Sequence, residues 1–282
     1  MPELPEVETV KRGLAPVMEG AGFVRVEVRR PDLRRPFPKN MVKRLEGTEI
    51  LKVGRRSKYL LVDTSRDETL IWHLGMSGRV RIYAPGDDMP KPGKHDHVEF
   101  ELTNGSVIVF TDPRRFGLMD LCGSENLQDH PLIKVIGPEP IGNSFSGPVL
   151  AERLKGKTQG IKQAIMDARV VCGVGNIYAS ESLFRAGLSP KRKAGTVQGG
   201  RAEKLVRAIK NVLDEAIHAG GSTLRDHRTT DGELGYFQHN FAVYDREGQA
   251  CPGCDCDISK TKGIQRLEQG GRSTYYCPRK QR

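Results

Sequence analysis

Residues 97–110, "HVEFELTNGSVIVF", decide the fold class of the first half of the chain. Two β-rich runs flank Thr103-Asn104-Gly105-Ser106, and an Asn-Gly pair between such runs is a strong local signal for a hairpin. On the N-terminal side lie further runs of the same kind: "GFVRVEV" (22–28), "EILKVGRR" (49–56), "KYLLVD" (58–63), "TLIWHLG" (69–75) and "RVRIY" (79–83). No helical period intervenes, so the pattern predicts an antiparallel sandwich or flattened barrel. One helix leads it: Leu4, Val7, Val10, Leu14 and Val17 recur every three or four residues, Pro5 suits a first turn, and Pro16 should kink or end the helix.

The second half changes period. "GPEPIGNSFSGP" (137–148) reads as a linker, and helical patterns follow, the longest ending at Gly220-Gly221 with Leu205, Ile209, Val212, Leu213, Ala216 and Ile217 on one stripe. Residues 222–241 have no clear period and read as a loop. From 242 onward short β-like segments surround cysteines. The fold class is therefore α+β in two domains: an N-terminal antiparallel β-sandwich over 1–136, a linker over 137–148, a helical domain over 149–241 and a cysteine-bearing module over 242–282.

The 282 residues carry a net charge of +10 and a mean hydropathy of -0.49. The charge is lopsided: residues 149–282 hold 23 Lys+Arg against 14 Asp+Glu, whereas 1–148 hold 22 against 21. A basic half points to a polyanion, most often nucleic acid. No apolar run is long enough to span a bilayer, and the first twenty residues do not read as a signal peptide, so the expectation is a cytoplasmic protein, at the nucleoid if the polyanion is DNA. In that compartment the clustered Cys251, Cys254, Cys256 and Cys277 favour a metal over disulfides, while Cys122 and Cys172 read as buried small hydrophobes.

The amino terminus, "MPELPEVETV", invites two readings. Acidic residues in a first turn complement the helix dipole, and that alone accounts for them. Alternatively, cells commonly remove Met1 ahead of proline, which would leave Pro2 a free secondary amine. An α-amino group has a reference pKa of about 8, against about 10 for lysine, so a useful fraction is nucleophilic at neutral pH. Its attack on a sugar C1′ gives an iminium, an electron sink for elimination, with Glu3 and Glu6 at hand to move protons.

"PELPEVETV" resembles the amino terminus of the formamidopyrimidine-DNA glycosylase family. "GRRSKYLL" (54–61), "HLGMSGR" (73–79), "KHDHVEF" (94–100), "TDPRRFG" (111–117), "IGPEP" (136–140), "GVGNIYASESLF" (173–184) and "GGSTLRD…DGELGYF" (220–237) follow in the family's order. Leu4 stands where the related endonuclease VIII has glycine, which favours the branch acting on purine lesions. The resemblance implies a bifunctional DNA glycosylase/AP lyase of base-excision repair that removes 8-oxoguanine and formamidopyrimidines from duplex DNA by β,δ-elimination. It implies a monomer acting on double-stranded damaged DNA, with no membrane and no organic cofactor. The rivals are an endonuclease VIII-like preference for oxidised pyrimidines and a non-catalytic damaged-DNA-binding protein.

Carried over by matching position, Pro2 is the nucleophile, Glu3 the general acid/base, Glu6 a supporting carboxylate and Lys58 the lysine beside the reacting sugar and phosphate. Met76, Arg114 and Phe116 match the side chains that fill the void left by an everted nucleotide, with Arg114 able to bond the orphaned cytosine. His95, Lys162, Asn176 and Arg272 match DNA contacts, Lys162 as a phosphate contact and Asn176 within a helix–two-turn–helix motif. The aperiodic loop around 222–237 corresponds to the segment closing on the everted base. The family ends in a zinc finger of two Cys-x2-Cys pairs. Cys251 and Cys254 supply the first and Cys277 half of the second, but Lys280 occupies the fourth place. Three readings stand: Cys256 moves in as a ligand, zinc binds weakly through three thiolates, or the hairpin holds without metal.

Overall fold

The computed structural model describes residues 2–222, 230, 235–253 and 255–282. These form two units, one of residues 1–134 with 219–238, the other of 135–218 with 239–282.

The first unit starts with helix α1 (Leu4–Met18), whose stripe Leu4, Val7, Val10, Leu14 and Met18 is buried and whose last turn contains Pro16. Strand β1 (Phe23–Val28) and the short helix α2 (Met41–Leu45) precede β2 (Ile50–Arg56), β3 (Tyr59–Thr64), β4 (Glu68–His73), β5 (Arg79–Tyr83), β6 (Asp96–Leu102), β7 (Val107–Thr111) and β8 (Leu118–Gly123). They make two antiparallel four-stranded sheets, ordered β1-β6-β7-β5 and β2-β3-β4-β8. The sheets meet around Trp72 of β4, whose ring lies edge-on to Phe100 of β6 and Phe110 of β7, with centroids 5.7 and 5.2 Å away. Such edge-to-face aromatic packing adds to the area buried at the centre of a sandwich.

The β6–β7 hairpin forms where the sequence places it, with its own turn. Gly105 N–H donates to the Leu102 carbonyl and Leu102 N–H to the Ser106 carbonyl, so three residues make the loop. Gly105 takes the left-handed position, φ +81°, while Asn104 stays at negative φ. That is the type I turn with a glycine bulge rather than a two-residue Asn-Gly turn. Strand β8 was not legible: "LMDLCG" does not alternate, and it becomes a strand by pairing with β4 while Leu118, Met119 and Leu121 are buried.

In the second unit, α3 (Gly147–Leu154), α4 (Ile161–Ile165), α5 (Asn176–Ala186) and α6 (Gly200–His218) precede the short α7 (Ile258–Thr261) and a hairpin of β9 (Gln265–Gln269) and β10 (Arg272–Tyr276) turned by Gly270-Gly271. Helices α3 and α5 both pack on α6, and β10 packs on α5. The Glu181 carboxylate of α5, wholly buried, accepts from the backbone N–H groups of Ala242, Val243 and Tyr244 at 2.8–2.9 Å, which ties the cysteine-bearing segment to the helix.

Two segments depart from the sequence reading. Residues 137–148 are not a free linker: Phe145 is wholly buried, Gly137 N–H bonds the Ala168 carbonyl, and Lys210 reaches the Gly142 carbonyl. Residues 219–238 belong with the first unit rather than with the helical domain. There the Thr230 carbonyl accepts from Ile82 N–H, and Ser222 bonds Glu6.

Candidate nucleic-acid interface and catalytic terminus

Pro2, Glu3 and Glu6 are all buried at the start of α1, Glu3 at 3 % and Glu6 at 2 % exposure. Glu3 is the N-cap, and its N–H donates to Glu6 Oε2 at 2.8 Å within a capping box. Glu6 Oε1 accepts from the backbone N–H and the hydroxyl of Ser222, at 2.9 and 3.0 Å. One carboxylate therefore fixes the backbone next to Pro2 and clasps the segment that follows α6.

The Ser57-Lys58 turn between β2 and β3 is held to the same helix. Arg55 Nε pairs with Glu8 of α1 at 2.9 Å, and its Nη1 donates to the Ser57 carbonyl at 2.8 Å. Glu8 thus anchors the turn that presents Lys58. Burial works against its ionisation, but Arg55, with Lys11 and Arg12, holds its carboxyl below the ordinary value.

Lys58 has a neighbour that sequence reading missed. His73 ends β4, pairs across from Tyr59 with ring centroids 5.0 Å apart, and accepts the Gly75 N–H at Nδ1 over 2.9 Å. Burial, with Lys58 and Arg34 nearby, pushes its pKa down to about 4. The ring is therefore neutral at physiological pH, and the acceptor role of Nδ1 leaves Nε2 carrying the proton. A neutral donor beside a lysine suits a phosphate oxygen. Its signal lies in "HLGMSGR", the same run that carries Gly75 and Met76.

Met76, Arg114 and Phe116 lie on two loops that one buried carboxylate ties together. Asp112, wholly buried, accepts from Ser77 Oγ at 2.6 Å on the loop after β4 and from Gly117 N–H at 2.7 Å on the loop before β8. Ser77 Oγ in turn accepts from Arg114 N–H at 3.1 Å. The loops press so closely that a Cβ on Gly75 would sit 2.3 Å from Gly117 N and 2.4 Å from the Phe116 carbonyl carbon, and Gly75 also has φ +70°. Only glycine fits there. Met76 and Phe116 are left 36 % and 41 % exposed, and the Arg114 guanidinium lies 5.0 Å over the Phe116 ring. Asp112 also joins His95 to this hub, donating its N–H to the His95 carbonyl at 2.9 Å, while His97 Nε2 lies 2.9 Å from the Asp112 carbonyl. Burial holds the His97 pKa below its usual value.

In the second unit Lys162 is not where a phosphate contact must be. It is 1 % exposed, and its ammonium donates to Asn176 Oδ1 at 2.6 Å, the Ser273 carbonyl at 3.0 Å and Thr274 Oγ1 at 2.6 Å. An ammonium has three donors, and all are taken inside the protein. Lys162 is a positioning residue that pins the N-terminus of α5 to β10. Asn176, at that N-terminus, also donates to the Ser273 carbonyl at 3.0 Å and remains partly exposed. Arg272 projects at the exposed tip of the hairpin.

Cys251, Cys256 and Cys277 bring their sulfurs within 4.8 Å of one another, at 3.6 Å for Cys251–Cys256 and 3.3 Å for Cys256–Cys277. A tetrahedral zinc–thiolate centre, with bonds of about 2.3 Å, sets sulfurs roughly 3.8 Å apart, so the cluster fits such an ion after small adjustment. Burial raises the Cys277 thiol, but the Lys280 N–H, the neighbouring thiols and the Arg279 N–H bring it below the ordinary value. Lys280 turns its ammonium away, 4.1 Å over the Phe184 ring. Cys254 and most of 222–237 lie outside the described residues. Cys172 is buried, as expected, and its thiol also donates to Glu139 at 3.1 Å.

A profile of the formamidopyrimidine-DNA glycosylase N-terminal domain matches residues 1–119, and one of the H2TH domain of the same enzymes matches 136–228. The chain belongs to the formamidopyrimidine-DNA glycosylase family. It is 55 % identical over 282 residues to the formamidopyrimidine-DNA glycosylase of Rhodospirillum rubrum, covering all of both chains. The crystal structure of the MutM (Fpg) protein from Thermus thermophilus superposes with a TM-score of 0.86 at 39 % identity, covering 99 % of this chain and 98 % of that one. A Lactococcus lactis Fpg mutant in complex with Fapy-dG-containing DNA superposes at 0.88 and 33 % identity, with full coverage of both. The family's enzymes are DNA-repair glycosylases with AP lyase activity, and this chain is one of them. Among the described residues no helix is long and apolar enough to cross a membrane.

Proposed function

We propose that this enzyme excises oxidised purines, 8-oxoguanine and formamidopyrimidines, from duplex DNA and then cleaves the strand, with the mature amino-terminal nitrogen of Pro2 as nucleophile. The observation that carries the reading is the buried carboxylate clasp at that terminus, where Glu6 fixes both the Glu3 backbone and Ser222. A helix N-terminus disfavours a protonated amine, which keeps the nitrogen nucleophilic near neutral pH.

The reaction starts when the Pro2 lone pair attacks C1′. The base leaves with the C1′–N bond electrons, the Pro2 nitrogen gives up its proton, and its lone pair then breaks the C1′–O4′ bond as Glu3 delivers a proton to O4′. The resulting iminium acidifies the C2′ hydrogen, so β- then δ-elimination expels the two phosphates in turn. Lys58 and His73 hold the phosphate beside the lesion, while Met76, Phe116 and Arg114 fill the vacated stack. Arg272 and Asn176 grip phosphate from the second unit, and His95 does so from the first. The protein works as a monomer in the cytoplasm, at the nucleoid.

Cys251, Cys256 and Cys277 are the residues that would hold a zinc ion. Bound there, zinc would staple the hairpin and take no part in the chemistry. This is supported by the gathered thiols and by Lys280 leaving the cluster.

Cleavage of duplexes containing 8-oxoguanine opposite cytosine, beside duplexes containing thymine glycol, tests the substrate. Faster processing of the purine lesion is expected. An untouched 8-oxoguanine duplex with thymine glycol cleaved would assign the pyrimidine branch instead, and neither cleaved would leave only DNA binding.

A further inference from the structure

The first unit contains a pocket of about 330 Å³ that none of the residues above uses. Arg79 and Arg81 of β5 line it together, two residues apart and so on one face of the strand. Its charges do not balance. Of its two carboxylates, Glu99 is taken by Arg29 at 2.5 Å, and Asp96 accepts from the Thr111 hydroxyl at 2.5 Å and from Gly93 N–H at 2.7 Å. Arg79 has no such partner: its Nε is shut off from solvent without an acceptor among the described residues, and no ion pair with a described residue reaches its guanidinium. Among the described residues Arg81 meets only Tyr83, through the hydroxyl at 3.3 Å and the ring at 5.8 Å. Lys91 adds a third, exposed cation at the rim.

A buried guanidinium nitrogen without an acceptor is costly enough to need a reason. Two arginine forks on one strand face match the oxygens of a phosphate, which guanidinium binds bidentately. Met89, Pro90 and Pro92 line the same pocket and offer apolar surface to whatever carries that phosphate. We propose that this pocket binds the phosphate of a nucleotide through Arg79 and Arg81, at a site separate from the amino-terminal proline. The phosphate comes either from a free mononucleotide or from a DNA strand running past the lesion. The inference does not rest on the glycosylase chemistry.

Titration calorimetry on the full chain tests it, with inorganic phosphate, thymidine 5′-monophosphate, thymidine and an undamaged duplex as probes. The proteins are the parent, Arg81→Glu and the double variant Arg79→Gln/Arg81→Gln. Arg81 is exposed, so Arg81→Glu keeps its fold even if loss of Arg79 does not. The monophosphate should bind the parent and thymidine should not. Both variants should weaken the monophosphate at least about tenfold, while cleavage of a short abasic duplex keeps its rate. If the mononucleotide fails to bind but Arg81→Glu weakens the duplex and lowers its salt slope by about one, the phosphate is the DNA's own. Undiminished monophosphate binding by Arg81→Glu would overturn the proposal. So would a parent that binds neither phosphate compound, if Arg81→Glu left duplex affinity and salt slope unchanged.

Discussion

Glu6 and Lys162 carry opposite charges in different units and are equally shut away from water, at 2 % and 1 % exposure. Each spends its hydrogen-bonding capacity inside the protein, Glu6 on Glu3 and Ser222, Lys162 on Asn176, Ser273 and Thr274. Each also stands one step behind a group proposed to face the DNA. Glu6 sets the backbone beside Pro2, and Lys162 sets Asn176 and the strand that begins at Arg272. A buried charge whose bonds are all made is a positioning device, whatever its residue type suggests. Arg272, exposed at the hairpin tip, is the opposite case.

The sharpest way to break this comparison is Lys162→Met. It leaves three acceptors without their shared buried donor and should cost about 3–5 kcal/mol of stability. DNA affinity should fall with its salt slope unchanged, since no phosphate contact is lost. A slope reduced by about one, with Tm intact, would put Lys162 back on the phosphate.

His73 gives the next largest effect. Its folded pKa of about 4 lies below the unfolded value of about 6.5, so below pH 6.5 the unfolded chain binds a proton that the folded chain refuses. The stabilisation is therefore whole above pH 6.5 and drains away as the pH falls toward 4, by up to about 3 kcal/mol. Denaturant melts of the parent and His73→Gln at pH 7 and pH 4.5 should show a smaller acid loss in the variant.

Glu6→Gln should cost about 1–3 kcal/mol, because an amide nitrogen would face N–H donors that now meet an oxygen. Cleavage should suffer more than DNA binding, as read by single-turnover rates beside equilibrium affinity. Arg272→Gln is the smallest change. Tm should stay put, affinity should fall by about 1 kcal/mol, and the salt slope should drop by about one.

The sandwich and the helical half were legible because their periods are plain: alternation with an Asn-Gly turn on one side, an apolar stripe over 205–217 on the other. Strand β8 was not, because a strand buried by its partners need not alternate. In the site, Pro2, Glu3, Glu6, Met76, Arg114 and Phe116 stood out through short motifs. Asp112 and Glu181 did not, since a carboxylate that organises backbone N–H groups looks like any other acid until the chain folds around it. Lys162 was misplaced for the mirror-image reason. Nothing in a sequence separates a lysine that reaches outward from one whose acceptors lie more than a hundred residues away. Lys280 was readable as a departure from the family pattern, and its contact with Phe184 supplies where the side chain goes.

The central claim is that the terminal nitrogen is the reagent, with the carboxylate clasp as its support. Borohydride reduction during turnover of abasic-site DNA fixes the iminium as a stable bond, and peptide mapping then finds the residue carrying the sugar. The account predicts a mature chain lacking Met1, with the adduct on the Pro2 nitrogen, its yield lowered in Pro2→Gly. An adduct on Lys58 or another lysine, or full activity from protein that retains Met1, would contradict it.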